Sequence, residues 1–230
     1  MNTNQVIILI GRENLEKDSH LHRDVFAKLK EFPLTVFFDP NDQIRRAINH
    51  PIFKKIPSFL RKNLWLRKMA RLSIIFFFFL KHGQYDLIHL KSFRAKSNNL
   101  DLRIWALTEQ LKKLNHTTQI TLIGRSAGAI VATKASLLFP IHQIICLGYP
   151  FKHPDEQEEA FRTEHLALVN TPTLIIQGER DVYGGKEIMG KYALNQATKV
   201  IFQDLDHDFT LNETSRLKLI SQLRAYLKRN

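Results

Sequence analysis

Three residues in this 230-residue chain have types and surroundings suited to nucleophilic chemistry: Ser126, Asp181 and His207. Ser126 sits in "LIGRSAGAI" (122–130), a Gly-x-Ser-x-Gly pattern that leaves an apolar run and enters a stretch of small residues. A serine at a sharp strand-to-helix turn presents its hydroxyl at the edge of a sheet. The crowding of such a turn demands small residues two before and two after it, here Gly124 and Gly128. Ala127 and Ala129 keep the helix start slim. The N–H of Ala127 would point at a developing oxyanion, helped by the positive end of the helix dipole. Taken locally, the pattern leaves two readings open, a nucleophile or a close-packed strand–helix turn.

A serine nucleophile needs a base, and the base needs an acid to orient it. Downstream, "PTLIIQGERDVYGG" has the form of a buried strand leaving into a loop, with Asp181 just past the strand end. Then "VIFQDLDHDF" puts His207 after the last strand and before the last helix. Loops at strand ends are where reactive side chains gather in open α/β sheets. Glu179 is the nearest competitor to Asp181. Asp204, Asp206 and Asp208 surround His207, which makes a solvated surface histidine or a weak cation site the alternatives. Nothing else in the chain supplies ligands at a recognisable metal spacing, so no metal is expected.

The elements that must position these residues are legible as periodicities. "VIILI" (6–10), "LTVFF" (34–38), "QITLIG" (119–124), "QIICLG" (143–148), "TLIIQG" (173–178) and the shorter "KVIFQ" (199–203) read as buried parallel strands. Helical patterns lie between them, at 22–32, at 100–115 with apolar residues at 100, 104, 107, 111 and 114, at 126–138, and at 210–230. Strands alternating with helices imply an α/β fold, a doubly wound and mainly parallel sheet covered on both faces. The chain is long enough for one such domain with a full core.

Composition sets the remaining bounds. With 44% hydrophobic and 24% charged residues, the chain is neither disordered nor fibrous. Its one cysteine, Cys146, lies in an apolar run and reads as buried and inert. No intrachain disulfide can form, which favours a reducing, cytoplasmic setting. The run Val6–Ile10 is too short for the core of a signal peptide and no basic residues precede it. The net charge of +12 is concentrated: between Asn41 and Gly83 ten Lys or Arg face a single acid, Asp42, giving +9 in that segment. Residues 41–97 break the strand–helix rhythm and are expected to form an insertion or cap. Within it 59–80 reads as one or two helices and 85–90 as an extra strand. "LSIIFFFFL" (72–80) is too short to span a bilayer and is preceded by Arg67, Lys68 and Arg71. Three readings of it remain: core beneath a cap, a Phe-rich lid over an acyl or aromatic substrate, or an amphipathic element (54–81) in peripheral contact with an anionic membrane. The charge comes without any nucleic-acid recognition motif, so no nucleic-acid partner is expected.

"IGRSAGA", "LGYPFKHP", "RTEHLALVNTPTLIIQGERDVYG" and "DHDF" occur in that order. As a set they resemble the α/β-hydrolase fold, and within it the branch of small serine hydrolases that includes testis-expressed protein 30 and dienelactone-hydrolase-like proteins. The resemblance covers about residues 100–228. It implies a catalytic triad of Ser126, Asp181 and His207, and a pocket lined by Tyr149 and Pro150. It further implies hydrolysis of an ester or acyl substrate without a cofactor. The first half departs from the family pattern. Where the family has a His-Gly pair whose backbone supplies the second oxyanion donor, this chain reads "IGRENLEKD" after its first strand. Gly11 remains, and the N–H of Arg12 or Glu13 would have to serve beside that of Ala127. That altered loop keeps a rival reading open, an α/β-hydrolase-like scaffold that binds without catalysing. A peripheral membrane lipase is the third.

Overall fold

The computed structural model describes residues 5–12, 18–37, 39, 69, 73, 96–115, 118–188 and 190–228. The chain divides into two compact units, Met1–Phe38 with Ile104–Asn230, and Asp39–Arg103. The expected helices at 59–80, the strand at 85–90 and most of the 41–97 insertion lie outside the described residues. In the second unit the described residues include Asp39 and Arg103, an ion pair with Arg103 Nε 2.7 Å from Asp39 Oδ2 and both side chains buried.

The first unit is built on a six-stranded sheet, every pairing parallel: β1 (Gln5–Ile10), β2 (Leu34–Val36), β3 (Gln119–Arg125), β4 (Gln143–Leu147), β5 (Thr173–Gly178) and β6 (Thr198–Gln203). Their order across the sheet is β2-β1-β3-β4-β5-β6. The chain therefore winds outward in one direction from β1 and then in the other from β3. Between these two strands lies the switch point where open α/β sheets hold their ligands. β3, β4 and β5 are buried almost end to end, which is why they read as continuous apolar runs rather than alternations.

Side-chain alternation divides the sheet between two layers. Ile7, Leu9, Ile123, Ile145, Leu174 and Ile176 belong to one core cluster with residues of α1 (Ser19–Asp24) and α4 (Glu213–Leu227). Helix α3 (Ala127–Ala135) packs on β1, β3 and β4. Helix α2 (Lys96–Leu111) buries Ile104, Leu107 and Leu111, one stripe at helical spacing. Fully burying each such Ile or Leu contributes about 1.5–3 kcal/mol.

Two helices depart most from those read in the sequence. The helix expected at 22–32 is a short α1, a break at Val25 and a 3₁₀ turn at Phe26–Lys28. Pro33 denies Phe32 the helical region, and the last turn tightens. Leu21, Val25 and Leu29 are buried all the same, so the apolar spacing is satisfied without a continuous helix. Helix α2 is set four residues earlier than expected, at Lys96–Leu111, and Lys112 and Lys113 fall in the turn after it.

Candidate active site

β3 ends at Arg125 and α3 begins at Ala127, which leaves Ser126 alone to make the turn. It does so at φ 50°, ψ −122°, a conformation costing a non-glycine residue about 1–3 kcal/mol. The surroundings hold it there: the Ser126 N–H donates to the Leu147 carbonyl (3.1 Å), and its carbonyl accepts from Ala129 N–H (2.7 Å). A Cβ on Gly124 would lie 2.5 Å from Ala129 Cα, and one on Gly128 would lie 2.1 Å from the Ile10 carbonyl oxygen. Neither distance is tolerable, so both glycines answer to space as the motif requires.

At the same carboxyl edge, Asp181 follows β5 and His207 follows β6. Ser126 Oγ is 3.0 Å from His207 Nε2, and His207 Nδ1 is 2.9 Å from both carboxylate oxygens of Asp181. Because a carboxylate only accepts, this pairing assigns the proton to Nδ1 and leaves Nε2 as the acceptor for the serine hydroxyl. All three residues are at most 9% exposed. A chain of alcohol, imidazole and carboxylate in this geometry can pass the hydroxyl proton to Nε2 as the oxygen attacks a carbonyl carbon. The amide of Ala127, the first residue of α3, has no acceptor within its own helix and follows the serine directly.

The acids that competed for these roles are engaged elsewhere. Glu179 pairs with Lys186, Asp204 with Arg180, and Asp208 with Arg12. Asp206 accepts from the amide and hydroxyl of Thr210. Among the described residues no three His, Cys, Asp or Glu side chains come together as a metal site would need.

Asp181 is steered by groups that the sequence reading passed over. Gln177, fully buried at the end of β5, donates to Asp181 Oδ2 (2.9 Å) and to the Gly184 carbonyl (2.7 Å). Its own carbonyl accepts from Tyr149 N–H (2.8 Å). The Tyr183 amide donates to Asp181 Oδ1 (2.8 Å), and the Tyr183 ring lies 4.2 Å from the His207 ring between centroids. A glutamine closing an otherwise apolar strand, in "TLIIQG", is the signal that was available for Gln177.

Tyr149 and Pro150, expected to line the pocket, are both buried. The Tyr149 side chain is wholly enclosed, and its hydroxyl donates to the Arg162 carbonyl. Burial pushes its phenol well above the usual range. Gln177 holds its backbone from both sides, donating to its carbonyl and accepting from its amide. Cys146 is also wholly enclosed, and burial raises its thiol.

Arg12 stands just past β1, where the second oxyanion donor was sought. Its side chain turns to Asp18 (Nε–Oδ1 2.8 Å) and Asp208 (Nη1–Oδ1 2.8 Å). Burial opposes its charge, but the hydrogen bonds and charges of Asp208 and Asp18 outweigh that and raise its pKa. The hydrogen bond from Arg12 is in turn the main cause of the lowered carboxyl of Asp208. Glu13 and Asn14 lie outside the described residues.

A parallel sheet with a strained serine at a strand–helix turn, and an Asp and a His on later strand-end loops, defines the α/β-hydrolase class. The model of the alpha/beta hydrolase domain family matches residues 84–229, more than half of the chain. The chain belongs to that family. No curated protein sequence matches it. Among solved structures it is similar to a hydrolase from Oleispira antarctica, at 12% identity over 100% of this chain and 93% of the other, with a TM-score of 0.59. It is also similar to an alpha-beta serine hydrolase homologue from Coxiella burnetii, at 16% identity over 98% and 86%, with a TM-score of 0.54. A hydrolase of the alpha/beta superfamily from Xanthomonas campestris aligns over 97% and 99% at 12% identity and a TM-score of 0.52. At these identities the likeness is one of fold.

Proposed function

We propose that the chain is a serine hydrolase that cleaves an ester or thioester through an acyl-enzyme, and place it with the small serine hydrolases its motifs resemble. Ser126 attacks the carbonyl carbon while His207 Nε2 takes the hydroxyl proton, and Asp181 orients the imidazole and stabilises its cation. The oxyanion of the tetrahedral intermediate is met by Ala127 N–H and by an amide of the loop after β1, at Arg12 or its neighbour. Collapse expels the alcohol or thiol, which leaves with the proton from His207. Water then repeats the sequence to free the acid. The observation that carries this reading is the contact of Ser126 Oγ with His207 Nε2 at 3.0 Å, with Nδ1 turned to Asp181.

A fluorophosphonate probe tests it. The wild type should be labelled and Ser126→Ala should not, and short p-nitrophenyl esters should be cleaved by the wild type and not by His207→Ala. Equal labelling of wild type and Ser126→Ala overturns the assignment. A folded wild type with neither labelling nor esterase activity selects the non-catalytic scaffold.

A further inference from the structure

Arg125, the first variable residue of the Gly-x-Ser-x-Gly pattern, carries a charge into the interior, where its side chain is 1% exposed. Burial lowers its pKa to about 10, so it stays cationic at neutral pH. A buried charge is unfavourable unless it is paired and hydrogen-bonded, so its partners indicate what it is for. Arg125 Nη1 donates to the Leu147 carbonyl (3.2 Å), at the end of β4, and Nη2 donates to the carbonyl of His207 itself. Its guanidinium lies 4.8 Å from the centre of the Phe209 ring, and Phe209 is held at φ 56°. Gly148 makes the room: a Cβ there would stand 2.8 Å from Arg125 Nη1.

The contacts close into a circuit. Arg125 Nε faces Asp18 Oδ1 at 3.5 Å, and that same oxygen accepts from Arg12 Nε at 2.8 Å. Arg12 Nη1 donates to Asp208, the residue after His207. His20 Nε2 adds a contact to the Asp208 carbonyl at 3.0 Å. The His207 loop is therefore gripped by Arg125 from the elbow strand and by Arg12 from the end of β1. Asp18, 4% exposed, joins the two cations. A planar guanidinium with several fixed donors can bridge two carbonyls and face a carboxylate at once, which an ammonium cannot.

We propose that Arg125 is a positioning residue for His207, and that the Arg125–Asp18–Arg12–Asp208 circuit holds the imidazole at hydrogen-bonding distance from Ser126 while tying the loop after β1 to the same frame. This rests on His207 acting as the base. Arg12, just past β1, thus reaches the residue after His207 through its side chain.

The test compares wild type, Arg125→Met, Arg125→Lys, Asp208→Ala and Ser126→Ala. The readouts are the fluorophosphonate labelling rate and the low-field ¹H resonance of the His207 Nδ1–H bonded to Asp181, with circular dichroism as the fold control. Misplacing a reacting group by about 1 Å costs about a hundredfold. Arg125→Met should therefore label about ten- to a hundredfold more slowly with its low-field resonance broadened or lost, and Arg125→Lys should recover only part of the rate. Asp208→Ala alters an exposed carboxylate and should slow labelling by a smaller factor. A folded Arg125→Met with wild-type rate and resonance overturns the proposal. If Arg125→Met does not fold, wild-type behaviour of Asp208→Ala overturns it instead. A wild type that is not labelled, yet shows the resonance and loses it in Arg125→Met, overturns the hydrolase reading and leaves the positioning role standing. Absence of the resonance from the wild type overturns the positioning role.

Discussion

At the scale of single residues, the site depends on buried polar groups whose partners are already in place. Gln177 presents both ends of its amide to fixed partners around Asp181 and Tyr149. Gln177→Leu keeps the volume but takes the Gln177 partner from the Tyr149 amide and the Gly184 carbonyl, and leaves Asp181 Oδ2 with His207 alone. It should lower stability by about 1–3 kcal/mol in urea unfolding and slow probe labelling as Asp181 loses its orientation. His165 is another buried polar residue, away from Ser126 and His207. Its Nε2 lies 2.9 Å from the Thr133 hydroxyl, and burial lowers its pKa from 6.5 to about 4. The unfolded chain therefore binds this proton at a higher pH than the folded one. The stabilisation is complete above pH 6.5 and fades as pH falls toward about 4. The loss should total about 3 kcal/mol. Denaturant midpoints measured from pH 7 to pH 4 should fall for the wild type and fall less for His165→Phe.

At the scale of elements, the elbow is a point where two backbones nearly touch. Gly128→Ala would drive a methyl into the Ile10 carbonyl at 2.1 Å, which is backbone and cannot swing aside. The helix would have to move off β1, and the variant should lose probe labelling and about 3 kcal/mol of stability, read by thermal unfolding with activity. Helix α4 offers a milder case. Asn212 caps it by accepting from the Ser215 amide at 2.8 Å, so Asn212→Ala should cost about 1 kcal/mol and leave labelling unchanged. Elements were legible in the sequence to different degrees for physical reasons. β3, β4 and β5 are buried on both faces and declare themselves as apolar runs. Residues 22–32 carry a helical spacing, but the structure answers it with a short helix and a 3₁₀ turn, because Leu21, Val25 and Leu29 need only reach the sheet.

At the scale of the whole molecule, the sheet order brings residues from distant parts of the chain to one edge, and the charge is gathered in a different part of the sequence. No helix among the described residues is long and apolar enough to cross a membrane. Under the membrane reading of 54–81, the protein should float with vesicles containing anionic lipid at low salt and be released at high salt. Failure to float at either salt concentration leaves the core and lid readings of that segment.

The sequence by itself determined the parallel α/β class, the elbow at Ser126 and the order Ser126, Asp181, His207. Each of these is a local matter: a strand's burial, a turn's demand for glycine, a side chain's chemistry at a strand end. Only the tertiary structure decided which neighbours those residues have. It enclosed Tyr149, diverted Glu179 and Asp208 to other partners, and set Gln177 under Asp181 and Arg125 under His207. Two of these pairings join residues more than eighty positions apart, Arg125 with His207 and Arg12 with Asp208. They follow from strand order and register, which no periodicity in the chain encodes.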